Sequence, residues 1–186
     1  MKNISQSSLM IIALALALLS ACSGSGGGEG DNNNVPVQPT NAVLTLSTTV
    51  TGAIPATTTI NSYDVTITLP EGVTVKASPD SINPSVMTTD PGVVTPTGNA
   101  SGASVSAIYT AANGGNPGTV KVHIASGTGF SAGKFCTING DVAAGAYPAP
   151  ADFLAPTLDD ATGIDASVST VILTGELHLD ATVVVN

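Results

Sequence analysis

Tyr63-Asp64-Val65-Thr66-Ile67-Thr68-Leu69 alternates large apolar side chains with short polar ones. Period two is the side-chain period of an extended strand, so Tyr63, Val65, Ile67 and Leu69 share one face and Asp64, Thr66 and Thr68 the other. Such a strand covers a core on one side and meets water on the other. Residues 43–49 (VLTLSTT) repeat the pattern, and Pro70-Glu71-Gly72 punctuates the chain before Val73–Lys76 starts again. Outward from there, runs rich in β-formers recur at 103–110 (ASVSAIYT), 119–125 (TVKVHIA), 135–139 (FCTIN), 168–173 (VSTVIL) and 176–185 (ELHLDATVVV). Turn residues separate nearly all of them, giving an expectation of about eight strands. Helical periodicity is confined to a short turn over 149–154, where Pro150 suits a first-turn position. Many short strands without alternating helices predict an all-β fold, a single β-sandwich.

Charge and aromatic content narrow the function. The basic residues are Lys2, Lys76, Lys121 and Lys134, there is no arginine, and thirteen acids oppose them. Binding a phosphate backbone requires clustered cations, so nucleic acid is excluded as a partner. There is no tryptophan, and Tyr63, Tyr109, Tyr147, Phe130, Phe135 and Phe153 are the whole aromatic supply. Most of these are needed for the core, which leaves little for a stacking platform.

The first residues carry an address. Lys2 precedes an apolar run from Leu9 to Leu19, too short for a membrane span of roughly 20 residues. Leu19-Ser20-Ala21-Cys22 follows, and this tetrad resembles the lipobox of bacterial lipoproteins. The resemblance implies cleavage before Cys22, acylation of its thiol, and a lipid-anchored envelope protein. Each buried methylene contributes about 0.8 kcal/mol, so two or three acyl chains hold firmly where one holds marginally. Ser23 stands where inner-membrane lipoproteins of enteric bacteria usually carry Asp, which implies the outer membrane. Residues 22–41 begin with CSGSGGGEGDNNN, have little to bury, and read as a flexible tether. Such a coil spans on the order of 20–25 Å. The expected organisation is therefore a signal peptide over 1–21, a tether over 22–41 and one domain over 42–186.

Several motifs invite chemistry. Gly129-Phe130-Ser131-Ala132-Gly133 matches the G-x-S-x-G string, but a nucleophile elbow needs a helix leaving the serine, and KFCTI is strand-like. The segment reads instead as a β-hairpin loop, with Gly127, Gly129 and Gly133 supplying positive φ. Asp152, Asp159, Asp160 and Asp165 form an acidic stretch in an expected loop. They are the weak candidates for a metal, calcium, against a plain reading as solvated turn residues, because the spacing lacks the alternate carboxylates of an EF-hand. His123 and His178 fall on the polar phase of their strands and read as solvent-facing. Once Cys22 is acylated, Cys136 has no cysteine partner within the chain, and its setting makes it a buried small hydrophobe rather than a reactive thiol.

The order VLTLSTT (43–49), YDVTITLPEGVTV (63–75), TVKVHIASGTGFSAGKFCTI (119–138), DVAAGAYPAPADF (141–153) and ELHLDATVVV (176–185) resembles the cohesin-like domains. That resemblance spans 42–186 and implies a jelly-roll sandwich related to some carbohydrate-binding modules. The chain lacks the charged and aromatic richness of cellulosomal cohesins, which sets dockerin recognition aside and implies the wider class of cell-surface interaction modules. The expected function is thus a non-catalytic surface lipoprotein binding a protein or glycan through residues the sequence does not identify, with no cofactor beyond the lipid. The alternative is a structural subunit of an envelope or extracellular assembly, joined through an exposed edge at 181–185 (ATVVV).

Overall fold

Alternation in 63–69 becomes the centre of the molecule. The computed structural model describes residues 36–186; the signal segment 1–21, Cys22 and the tether as far as residue 35 lie outside the described residues. Strands β1 (Asn41–Val50) and β2 (Thr59–Leu69) come first, followed by four short ones: β3 (Val73–Thr74), β4 (Ala77–Pro79), β5 (Met87–Thr89) and β6 (Val94–Pro96). The rest are β7 (Ser104–Thr110), β8 (Gly118–Phe130), β9 (Lys134–Val142), β10 (Thr157–Ile164), β11 (Thr170–Ile172) and β12 (Leu177–Val185). Among the described residues no helix is long and apolar enough to cross a membrane. The expected turn over 149–154 is a 3₁₀ turn at Pro150–Asp152.

Two antiparallel sheets form the β-sandwich. One runs β11-β10-β2-β8-β7-β5-β4; the other runs β12-β1-β9-β3, with β6 also on β9. In the first, Tyr63 lies opposite Ile124, Val65 opposite Val122 and Ile67 opposite Val120, all buried. In the second, Ala42, Leu44 and Leu46 of β1 face inward beside Phe135, Cys136 and Ile138 of β9. Burying each such aliphatic side chain contributes about 1.5–3 kcal/mol, which sets the register: a one-residue slip would turn the whole set to water. Phe135 and Cys136 are adjacent yet both buried because β1 and β9 shift register between Leu46 and Ser47. The bulge turns Phe135 inward against Tyr63, their ring centroids 4.6 Å apart.

Three expectations are corrected. First, the 131–133 connection is not a hairpin: β8 and β9 belong to different sheets, so the glycine-rich segment is a corner between them. Local turn chemistry is the same for both, and only the destination of the following strand distinguishes them. Gly129 (φ 72°) and Gly133 (φ 136°) do take positive φ, and Gly127 does not. Second, Asp159 and Asp160 lie not in a loop but on β10, which pairs with β2 through two register shifts. Third, β4, β5, β6 and β10 raise the count from eight to twelve; the first three are only three residues long, too short to show a period. The compact folded unit spans Val37–Asn186. Gln38 fixes that end: its Nε2 donates to the Ala146 carbonyl at 2.8 Å and its Oε1 accepts from the Gly145 N–H at 2.9 Å.

Tyr63 Oη and Thr48 Oγ1 lie 2.7 Å apart across the sandwich, a hydroxyl pair buried between the sheets. Burial pushes the Tyr63 phenol up to about 12, with the Thr48 bond acting the other way. A folded-state value above the unfolded one means this contribution is fully present below pH 10 and is lost as pH rises from 10 toward 12. Tyr63→Phe should lower stability by about 1 kcal/mol at pH 8 and flatten the fall in unfolding free energy between pH 10 and 12; denaturant melts giving parallel slopes for the two proteins would refute it. Gly129→Ala should cost about 1–3 kcal/mol, because its Cβ would sit 2.7 Å from the Thr59 side chain at a positive φ.

Candidate functional site

Side chains with chemistry converge on the outer face of the seven-stranded sheet. Alternation dictates their placement: Asp64 and Thr66 fall on the polar phase of β2, Lys121 and His123 on that of β8, Ser106 and Ile108 on that of β7. Register then sets them side by side, with Asp64 opposite His123 and His123 opposite Ser106, and with Thr66 opposite Lys121 and Lys121 opposite Ile108. The bulge in β10 brings Asp159 to the same face, where it accepts a hydrogen bond from Thr66 Oγ1. Asp64, Ser106, Ile108, Lys121, His123 and Asp159 line a shallow hollow of about 330 Å³.

His123 Nδ1 lies 2.7 Å from Asp64 Oδ1, and the two side chains are about half exposed. The carboxylate therefore orients the ring without removing it from water. Directly opposite residues in adjacent strands have Cβ atoms about 4.5–5.5 Å apart, so Asp64, His123 and Ser106 form a row resembling a hydrolase triad. It differs from one in that no hydrogen bond joins Ser106 to His123. What the face offers is a carboxylate-held imidazole, an ammonium group, a second carboxylate and an exposed Ile108 (45% exposed), which suits recognition of a charged, partly apolar surface.

The sequence-identified residues do not gather. Ser131 is exposed at the strand-to-strand corner and accepts from Asn99 Nδ2 at 3.1 Å; β9, not a helix, follows it. Asp152 Oδ2 accepts from the Ala149 N–H at 2.7 Å and closes the 3₁₀ turn. Asp160 Oδ1 accepts from Thr174 Oγ1 and from the Ala161 N–H, each at 2.9 Å. Asp165 Oδ1 accepts from the Ser167 hydroxyl and from the Ser167 and Ser169 N–H groups, contacts that hold its carboxyl below the usual range, the Ser167 hydroxyl foremost. Each carboxylate caps its own turn or strand, and among the described residues no three His, Cys, Asp or Glu side chains stand together as a metal site. His178 is solvent-facing, with Nε2 3.2 Å from Asp180 Oδ1.

The outer-face row escaped sequence reading because each member looks like an ordinary solvent-facing residue of its own strand. The available signal was that Asp64, Ser106, Lys121 and His123 all occupy polar phases; their adjacency depends on long-range register. No protein-family model, curated protein or solved structure matches this chain.

Cys136 is fully buried, and burial pushes its thiol up to about 12. Thiolate is the reactive form, so alkylation of Cys136 at pH 8 should be at least 100-fold slower in the native protein than in denaturant. Equal rates in a labelling time course would show that this part of the core opens freely.

Proposed function

We propose that this chain is a lipid-anchored, non-catalytic interaction module displayed from the cell envelope, and that it binds a partner through the outer face of the seven-stranded sheet. The observation carrying this reading is the convergence of Asp64, His123, Lys121 and Asp159 around exposed Ile108. Mixed charge beside an apolar residue gives orientation and specificity to a protein contact. A protein partner is favoured over a glycan because Tyr63, Phe130 and Phe135 stack on one another in the core, which leaves the face without a ring to stack on a sugar. The LSAC resemblance supports acylation at Cys22 and an outer-membrane location, and the segment order supports a cohesin-like, jelly-roll relationship. A second reading, a structural subunit of an envelope or extracellular assembly, draws on β12, which borders the five-stranded sheet with one strand neighbour.

The test is affinity capture from envelope extracts of the producing cells, comparing the wild-type protein with a Lys121→Ala/His123→Ala double variant. Wild type should recover a discrete protein, and the variant at least tenfold less. Equal recovery by both would remove the outer face from the proposal, and recovery of nothing by folded wild type would sink the binding reading. Repeating the capture with a calcium chelator should leave recovery unchanged; loss of the partner would return the Asp152–Asp165 region to consideration.

A further inference from the structure

Sheet edges are where a β-protein is open to another chain, and natural folds blunt them with short strands, proline or lysine. Three of the edges here follow that rule. The seven-stranded sheet ends in β4, three residues closing with Pro79, and in the three-residue β11; the far side of the five-stranded sheet carries β3, of two residues, and β6, closing with Pro96. Strand β12 breaks it. It is nine residues long, contains neither proline nor lysine, and carries Ala181-Thr182-Val183-Val184-Val185 along its second half, with Val184 51% exposed.

The hydrogen-bonding phase of this edge can be read directly. Asn41 and Asn186 exchange backbone bonds, N–H to O at 3.1 and 2.9 Å, and β1 pairs with β12 in unbroken antiparallel register, from Ala42 opposite Val185 to Val50 opposite Leu177. Bonded pairs alternate along such a ladder. Thus Val184, Thr182, Asp180 and His178 bond to β1, whereas Leu177, Leu179, Ala181, Val183 and Val185 aim their N–H and C=O groups away from it. Among the described residues no backbone bond reaches those outward groups. Beside the edge runs a groove of about 500 Å³, lined by Leu44, Ile67, Phe153, Leu154, Leu179 and Val183 among others.

We infer that β12 pairs antiparallel with β12 of a second copy about a two-fold axis at Ala181, joining the two five-stranded sheets into one. Three independent conditions meet at that axis. Hydrogen-bond phase is satisfied: Ala181 opposes its own copy, Leu179 opposes Val183 and Leu177 opposes Val185, all residues with outward-aimed groups, for as many as ten backbone bonds. Facing is satisfied: every odd-numbered residue meets an odd-numbered one, so the inward apolar row continues across the axis. Charge is satisfied: Asp180, the strand's one acid, opposes Thr182 and keeps its own His178 at 3.2 Å. An axis at Asp180 would set two carboxylates face to face. The occupant is a copy in closed two-fold contact because the blunted edges offer no second long strand for head-to-tail growth. This inference stands apart from what the outer sheet face binds, and its test reads association rather than capture.

The test uses the anchored protein in its own membrane. Paired residues with Cα atoms about 5.5 Å apart fall within the 4.4–6.8 Å that a disulfide spans, so Ala181→Cys should give a disulfide dimer under mild oxidant. Val184→Cys should not, because its copy would lie about 20 Å away along the strands. Adding Val183→Pro to Ala181→Cys deletes an N–H aimed at the second copy and none aimed at β1. It should cut dimer yield at least tenfold while Cys136 stays protected from alkylation, the sign of an intact fold. Wild type extracted in mild detergent should sediment as a dimer. A wild-type monomer at every concentration, equal cross-linking at positions 181 and 184, or undiminished cross-linking with Val183→Pro would each overturn the inference.

Discussion

The Tyr63 ring is the joint on which the sandwich depends. Its hydroxyl reaches Thr48 on the opposite sheet at 2.7 Å, and its ring packs against Phe130, centroids 5.2 Å apart, and against Phe135 at 4.6 Å. Those two phenylalanines are the last residue before the 131–133 corner and the first buried one after it. One side chain therefore clamps both ends of the segment that carries the chain from one sheet to the other. Thr48 completes the clamp, donating its backbone N–H to the Gly133 carbonyl at 3.0 Å. A polar pair in this place fixes geometry as aliphatic packing alone does not, because the two oxygens must stay within bonding distance or each meets an apolar interior unpaired.

That joint explains what the sequence could and could not disclose. Alternation in YDVTITL and VLTLSTT is a local property, and it gave β1, β2 with its inward residues, and the all-β class. Local signals also gave Cys136 as buried and the two histidines as exposed. The corner at 131–133 was misread because glycines report that the chain turns, not which sheet receives it. β10 was misread because Asp159, Asp160 and Gly163 are poor strand formers; tertiary context overrides them. The two register shifts against β2 admit the acids, and Gly163 fits where a Cβ would lie 2.7 Å from the Thr59 carbonyl oxygen. The outer-face row was invisible for a related reason: Asp64, Ser106 and His123 are 17 residues or more apart in the chain, and only the pairing of β2, β8 and β7 makes them neighbours.

The same pairing logic separates the two surfaces. Strand β12 cannot be shortened or charged as the other edges are, because Leu177 and Leu179 are buried in the core and Val183 and Val185 pack against it. None of the three lysines of the folded unit, Lys76, Lys121 and Lys134, lies on it. A strand needed for its inward face but left with unpaired groups along its margin is best completed by another strand, and its own sequence is two-fold complementary about Ala181. Completion on that side involves only the five-stranded sheet. The carboxylates, imidazole and ammonium of β10, β2 and β8 sit on the outward face of the other sheet, so pairing at the edge and recognition on the face do not compete for the same residues. A tethered dimer of this kind would hold two identical faces on one membrane, and a partner with two matching sites would gain from their effective concentration without any new contact.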